Sequence, residues 1–193
     1  EALWLWVLPD SVRRVFNAIY SIFENSVPTR NAGLSGRRRS RDRIQTLATS
    51  QRRAPIAAAI ATRTSRIRIG TFLILLPLHN PIRIAEDTAT VDLISGGRFD
   101  LGVGQGYSYH EFNAFCMPRK ERTARLTEGV QLIQQLWTEP PVTFEGKFTQ
   151  VKDMTLSPMP VQQPHVPLWI GARTEKATRR VARLGCHLMA TFG

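Results

Sequence analysis

Residues 95–112 read SGGRFDLGVGQGYSYHEF, and the fold turns on how their three alternating glycines, Gly102, Gly104 and Gly106, are understood. They follow an apolar-alternating run, the setting in which a strand ends and a backbone comes close to a ligand. The dinucleotide fingerprint needs G-x-G-x-x-G, its third glycine letting a helix pack tightly on the strand. Here that glycine comes one position early, and Tyr107 stands where the fingerprint wants glycine. YSYHEF carries three aromatics and no clear helix start, and no acid is well placed about 20 residues on. The stretch is therefore no dinucleotide loop. It is either a turn that merely ends a strand or the mouth of another cofactor site.

Working outward, APIAAAIATRT is alanine-rich and helix-prone. RIRIGTFLILLP (Arg66 to Pro77) starts by alternation and becomes a continuous apolar run, as a strand buried on both faces would. Asn80 and Pro81 form a good N-cap and first helical position, and the helix they open stops at Gly96-Gly97. RFDLGVG is the next strand. A second long helix is expected from Arg119 to Trp137, with Leu126, Val130, Ile133 and Trp137 on one stripe. VTFEGKFTQ suggests a hairpin around Glu145-Gly146. After a proline-rich connector come strand PLWIGA, helix TEKATRRVARL closed by Gly185, and strand candidate HLMATF. Strands alternating with helices predict a parallel α/β fold whose strand-to-helix loops share one sheet edge, the edge where such folds bind ligands.

The 193 residues suffice for one domain with a sizeable core, and no apolar run approaches the ~18–20 residues of a membrane helix. Cys116 and Cys186 make neither a disulfide framework nor a metal-ligand spacing, and the expected compartment is the cytoplasm. HEFNAF is not H-E-x-x-H, since Ala114 stands where the second histidine belongs. The net charge of +11 is uneven: residues 1–53 hold ten arginines, no lysine and four acids. GRRRSRDR (Gly36 to Arg43) could neutralise nucleic-acid phosphates, or be a solvated tail. Arginine without lysine or sustained periodicity is also what a GC-rich gene gives out of frame, and the composition favours that reading. The chain thus divides into an unmatched basic segment, 1–53, with one weak helical pattern at Val12, Val15, Ile19 and Ile22, and a patterned domain, 54–193.

LPLHNPIRIAEDTATVDLISGGRFDLGVGQGYSYHEFNAF resembles the core of the bacterial luciferase-like, flavin-dependent monooxygenases. FEGKFTQVKDMTLSPMPVQQPHVPLWIGARTEKATRRVARLG resembles the same family in the same order, so the likeness runs from about Pro55 to Gly185. It implies a (β/α)₈ barrel of the TIM type, with an insertion after one strand, here a partial barrel. It also implies FMN or, in one branch, the deazaflavin coenzyme F-420. The activity implied is oxygenation of a small organic substrate with reduced flavin and O₂, the flavin supplied by a separate reductase; in the deazaflavin branch it is hydride transfer. A homodimer of the full-length form is a further implication.

Carried over by position, the resemblance puts IGTFLILLP beneath the flavin ring, with a non-proline cis peptide joining Phe72 and Leu73. Gly104, Gln105 and Gly106 then approach the flavin phosphate and ribityl chain. Bacterial luciferase has an arginine at the position of Gln105, so phosphate binding here leans on other donors. Gly171, Ala172, Arg173 and Thr174 open a helix after a strand and make a natural phosphate seat. The plainer reading has Thr174 only capping that helix and Arg173 facing solvent. Tyr107 and His110 are placed on the substrate side, whereas His165 and His187 look structural. Cys116 sits where many relatives have glycine, which puts the local turn in question.

The family's catalytic histidine usually lies within EHH, and no such triplet occurs in this sequence. Neither the first barrel strand nor the last ones are recognisable, and a closed barrel takes about 250 residues. The expectation is a fragment with an exposed sheet edge and poor solubility. The reading from another class is a basic nucleic-acid-binding protein acting through residues 30–53, whose binding would fall steeply with salt.

Overall fold

The computed structural model describes residues 53–190. The helical pattern at Val12–Ile22 and the run Gly36–Arg43 lie outside them. Helix α1 (Arg53–Ala61) is followed by two short strand pieces, β1 (Ile69–Gly70) and β2 (Ile74–Leu75), and a 3₁₀ turn at Leu76–Leu78. Helix α2 (Pro81–Ser95), strand β3 (Phe99–Gly104), short helix α3 (Tyr109–Ala114) and long helix α4 (Arg122–Thr138) come next. An antiparallel hairpin of β4 (Val142–Glu145) and β5 (Gln150–Met154) precedes β6 (Leu168–Ala172), α5 (Glu175–Arg183) and β7 (His187–Ala190). All pairings in the main sheet are parallel: β3 is flanked by β1 and β2 on one side and by β6 on the other, and β6 pairs with β7. This is part of a (β/α) barrel wall, as expected.

The cap chemistry read from the sequence is what the helices use. The Asn80 side chain accepts from the Ile82 amide at 2.9 Å, and Gly96 ends α2 in the left-handed region at φ +65°. Gly185 closes α5 in the same region at φ +64°. Along α4, Leu126, Val130, Ile133 and Trp137 are all buried, and the helix packs on α2, where the Trp137 indole N–H donates to the Ala85 carbonyl at 3.3 Å. Each large apolar side chain so enclosed contributes about 1.5–3 kcal/mol. Leu101 and Val103 of β3 are fully buried, in keeping with a central strand covered on both faces.

Three expectations change. The strand expected over Arg66–Pro77 is broken: Gly70 sits opposite Asp100 and Ile74 opposite Val103, so three residues, Thr71 to Leu73, oppose two. This bulge turns Phe72 out, leaving it 57% exposed, while Thr71 and Ile74 stay buried. YSYHEF does start a helix, α3, which forms despite its weak local signal because Phe112 is buried beneath it. The helix expected from Arg119 begins at Arg122, after a 3₁₀ turn over Arg119–Glu121.

Three side chains that no sequence pattern singled out organise this frame. Arg98 donates to the carbonyls of Ala61, Thr64, Ile67 and Ser95, closing the end of α1 onto the start of β3. Asp92, wholly buried, accepts from the Val161 and Gln162 amides and from Gln162 Nε2, fixing the proline-rich connector. Glu128 accepts from the amides of Lys147, Phe148 and Thr149, fixing the hairpin turn to α4.

Candidate active site

Because the strands are parallel, the segments after β2, β3 and β6 emerge at one edge of the sheet. The peptide between Phe72 and Leu73 is cis, where the resemblance placed one. A Cβ built on Gly171 would lie 2.6 Å from Leu73 Cδ1, and one on Gly104 would lie 3.0 Å from it. Leu73 is therefore seated across the ends of β3 and β6, on two positions that only glycine leaves open. Gly102 is stricter still: its Cβ would fall 1.9 Å from the Thr71 carbonyl oxygen. The Thr71 hydroxyl in turn donates to Gly102 O at 3.1 Å and accepts from Gly102 N at 2.9 Å, which pins the bulge to β3. Phe72, Leu73, Gly104 and Gly171 thus belong to one locality.

The loop after β3 turns at Gly106, with φ +71°. Gln105 is half-buried and its carbonyl oxygen accepts from the Thr123 hydroxyl at 2.9 Å. Tyr107 is 81% exposed, its carbonyl held by Arg119 Nε at 2.9 Å, and His110 is exposed on α3. After β6, Thr174 has extended backbone and caps α5, accepting from the Ala177 amide at 3.3 Å. Capping uses a lone pair and leaves the hydroxyl proton available to donate. Ala172 is buried, and Arg173 is exposed beside the cap. Glu175, in the first turn of α5, is ion-paired with Arg179. The donors at this edge (Arg173, the Thr174 hydroxyl, the Gln105 amide and the first N–H groups of α5) form a set that fits a phosphate.

Arg53 is a member that sequence reasoning missed, having been assigned to the basic segment. Its Nη1 donates to the Phe72 carbonyl at 3.0 Å. Burial lowers its pKa, and the Glu111 carboxylate opposes that by raising it. Burial raises the pKa of Glu111, against the pull of Arg53. His79, after the 3₁₀ turn, is half-buried, and burial lowers its pKa. It lines a cavity of about 20 Å³ with Arg125, Glu128 and Phe148, room for one water. His165 stacks on Trp137 and His187 on Trp169. Among the described residues no helix is long and apolar enough to cross a membrane.

The model of the luciferase-like monooxygenases matches residues 42–193. The chain is 32% identical over 136 residues to the oxygenase component of a flavin-dependent trigonelline monooxygenase of Acinetobacter baylyi, covering 69% of this chain and 38% of that protein. It is 37% identical over 137 residues to an F-420-dependent glucose-6-phosphate dehydrogenase of Kineococcus radiotolerans, covering 69% and 40%. The crystal structure of a monooxygenase from Streptomyces bottropensis shares the fold with a TM-score of 0.68 at 35% identity, covering 70% of this chain and 42% of that one. The chain spans about two-fifths of the length of these relatives. Both in the order of its elements and in the residues they carry, it belongs to the luciferase-like monooxygenase family.

Proposed function

We propose that the chain forms the cofactor-binding part of an oxidoreductase that uses reduced FMN and O₂ to oxygenate a small organic substrate, a separate reductase supplying the reduced flavin. The observation that carries this reading is the gathering at one sheet edge of the Leu73 shelf, the Gln105 loop and the Arg173–Thr174 turn. In this reading Gly171, Ala172, Arg173 and Thr174 hold the phosphate. Gly104, Gln105 and Gly106 approach the phosphate and the ribityl chain, and Phe72 and Leu73 support the ring. Tyr107 and His110 face the substrate. The flavin, when bound, supplies the redox chemistry, and the chain's part is to hold it and exclude water. The setting we propose is a homodimer in the cytoplasm.

The test is titration of the full chain with FMN, followed by flavin fluorescence. Changing Arg173 and Thr174 together to Ala removes a charge-assisted and a neutral hydrogen bond, about 2–3 kcal/mol, and is expected to weaken FMN binding at least tenfold. An unchanged Kd in the double variant would remove the phosphate seat from the proposal. The second reading is hydride transfer with coenzyme F-420. The 37% identity to an F-420-dependent dehydrogenase favours it. Tighter binding of F-420 than of FMN in the same titration selects it.

A further inference from the structure

The row of positions beneath Leu73 continues onto β7. In the sheet Gly171 stands opposite Met189, and Ile170 opposite Leu188. Residues paired across parallel strands leave the sheet on the same face, and the strands lie about 4.8 Å apart. A Cβ on Gly171 would meet Leu73 Cδ1 at 2.6 Å, so that face is the one on which Leu73 sits. Met189 therefore projects beside Leu73, one strand along, while Ile170 and Leu188 take the other face. Gly104 and Gly171 leave the row bare on β3 and β6, and on β7 it carries a thioether.

The chain has four methionines. Met154 and Met159 pack against the hydrophobic core, and Met117 lies in the turn after α3, its amide bonded to the Phe112 carbonyl at 2.9 Å. Only Met189 belongs to the main sheet, where it is half-buried. A thioether suits the edge of an aromatic ring, and peroxide turns it into a polar sulfoxide. We propose that Met189 is an oxidation site of this chain: peroxide formed at the flavin with no substrate to oxygenate converts its thioether to the sulfoxide, which loosens the ring's seat. The inference rests on the reading of this edge as a site for reduced FMN and O₂. Oxidation of reduced FMN passes two electrons and two protons to O₂, leaving FMN and hydrogen peroxide. One peroxide oxygen then passes to the Met189 sulfur: an S–O bond forms, the O–O bond breaks and water leaves.

The experiment loads the full chain with FMN, photoreduces it without oxygen, and admits O₂ with catalase present to destroy peroxide that has left the protein. After repeated cycles, peptide mass spectrometry measures the sulfoxide at each methionine, and titration measures FMN affinity. The expected sulfoxide at Met189 exceeds that at Met117 by about fivefold or more, and methionine sulfoxide reductase removes it. FMN affinity of the cycled chain is expected to fall about tenfold and to return with that reduction. Met189→Leu, which has no sulfur at this position, should keep its own uncycled affinity through the same treatment. Equal oxidation of Met189 and Met117, a sulfoxide that leaves FMN affinity unmoved, or a loss of affinity in cycled Met189→Leu overturns the proposal and leaves the flavin reading in place. A parent chain that binds no FMN removes the flavin reading and this inference with it. Binding of coenzyme F-420 alone does the same, since hydride transfer forms no peroxide.

Discussion

Cys116 shows what a single residue of this chain costs and why. It is exposed and holds φ +52°, in the left-handed region that crowds the Cβ of an L-residue. Helix α3 ends at Ala114 with Phe115 as its C-cap, so the cysteine stands just beyond the cap, where a helix is commonly stopped by glycine. Cys116→Gly should therefore raise stability by about 0.5–1 kcal/mol, the relief of crowding partly offset by the greater freedom of glycine in the unfolded chain. Thermal unfolding should show a midpoint a few degrees higher; a lower one would mean that the thiol makes contacts worth more than the turn costs. This position was legible in the sequence only through the resemblance, which put glycine there. Arg53, Asp92 and Arg98 were not legible at all, because their partners are backbone groups brought near by the fold and leave no spacing in the sequence.

Among elements, α2 and α5 matched their sequence signals because caps are local: Asn80, Gly96, Thr174 and Gly185 each act within a few residues. The strand expected over Arg66–Pro77 was misjudged because its bulge answers to Gly102, some thirty residues away, whose missing side chain admits the Thr71 carbonyl. Apolar content predicts that such a segment is buried; it does not predict its register. The packing of α2 against the connector has a similar long-range anchor in Asp92, with three donors on one fully buried carboxylate. Asp92→Asn turns one accepting oxygen into a donor facing other donors. It should cost about 2–3 kcal/mol, seen as a lower urea midpoint with unchanged slope. A variant as stable as the parent would show that the connector keeps its place by apolar packing alone, through Leu156 and Val166.

At the scale of the whole molecule, stability between pH 5.5 and 7 should lean on His79. Burial holds its pKa below the ordinary imidazole value of 6.5, so the unfolded chain takes up the proton first as pH falls. Stability from this group is then present above pH 6.5 and is lost on acidification, by at most about 1.4 kcal/mol per pH unit. Asp87 and Glu111, whose pKa values burial raises, act with the opposite sign and at lower pH: their protonated forms favour the fold, and their contribution is lost as pH rises through the carboxylate range. His79→Gln should flatten the curve of unfolding free energy between pH 5.5 and 7; an unaltered slope would assign it to other groups. The alternation of strands and helices, the shared loop edge and the glycine positions were all legible from pattern at this scale, since a parallel sheet writes its topology into the order of its elements. The hairpin of β4 and β5 was legible as a hairpin, but not its mounting on Glu128. That mounting is blind to sequence: the carboxylate grips three backbone N–H groups, of Lys147, Phe148 and Thr149, and asks nothing of their side chains. A turn that keeps Gly146, where a Cβ would meet the Glu128 carboxylate at 2.5 Å, and presents the same three amides would hang from the same peg, so this hairpin is the place where the fold could exchange one surface for another without renegotiating its core.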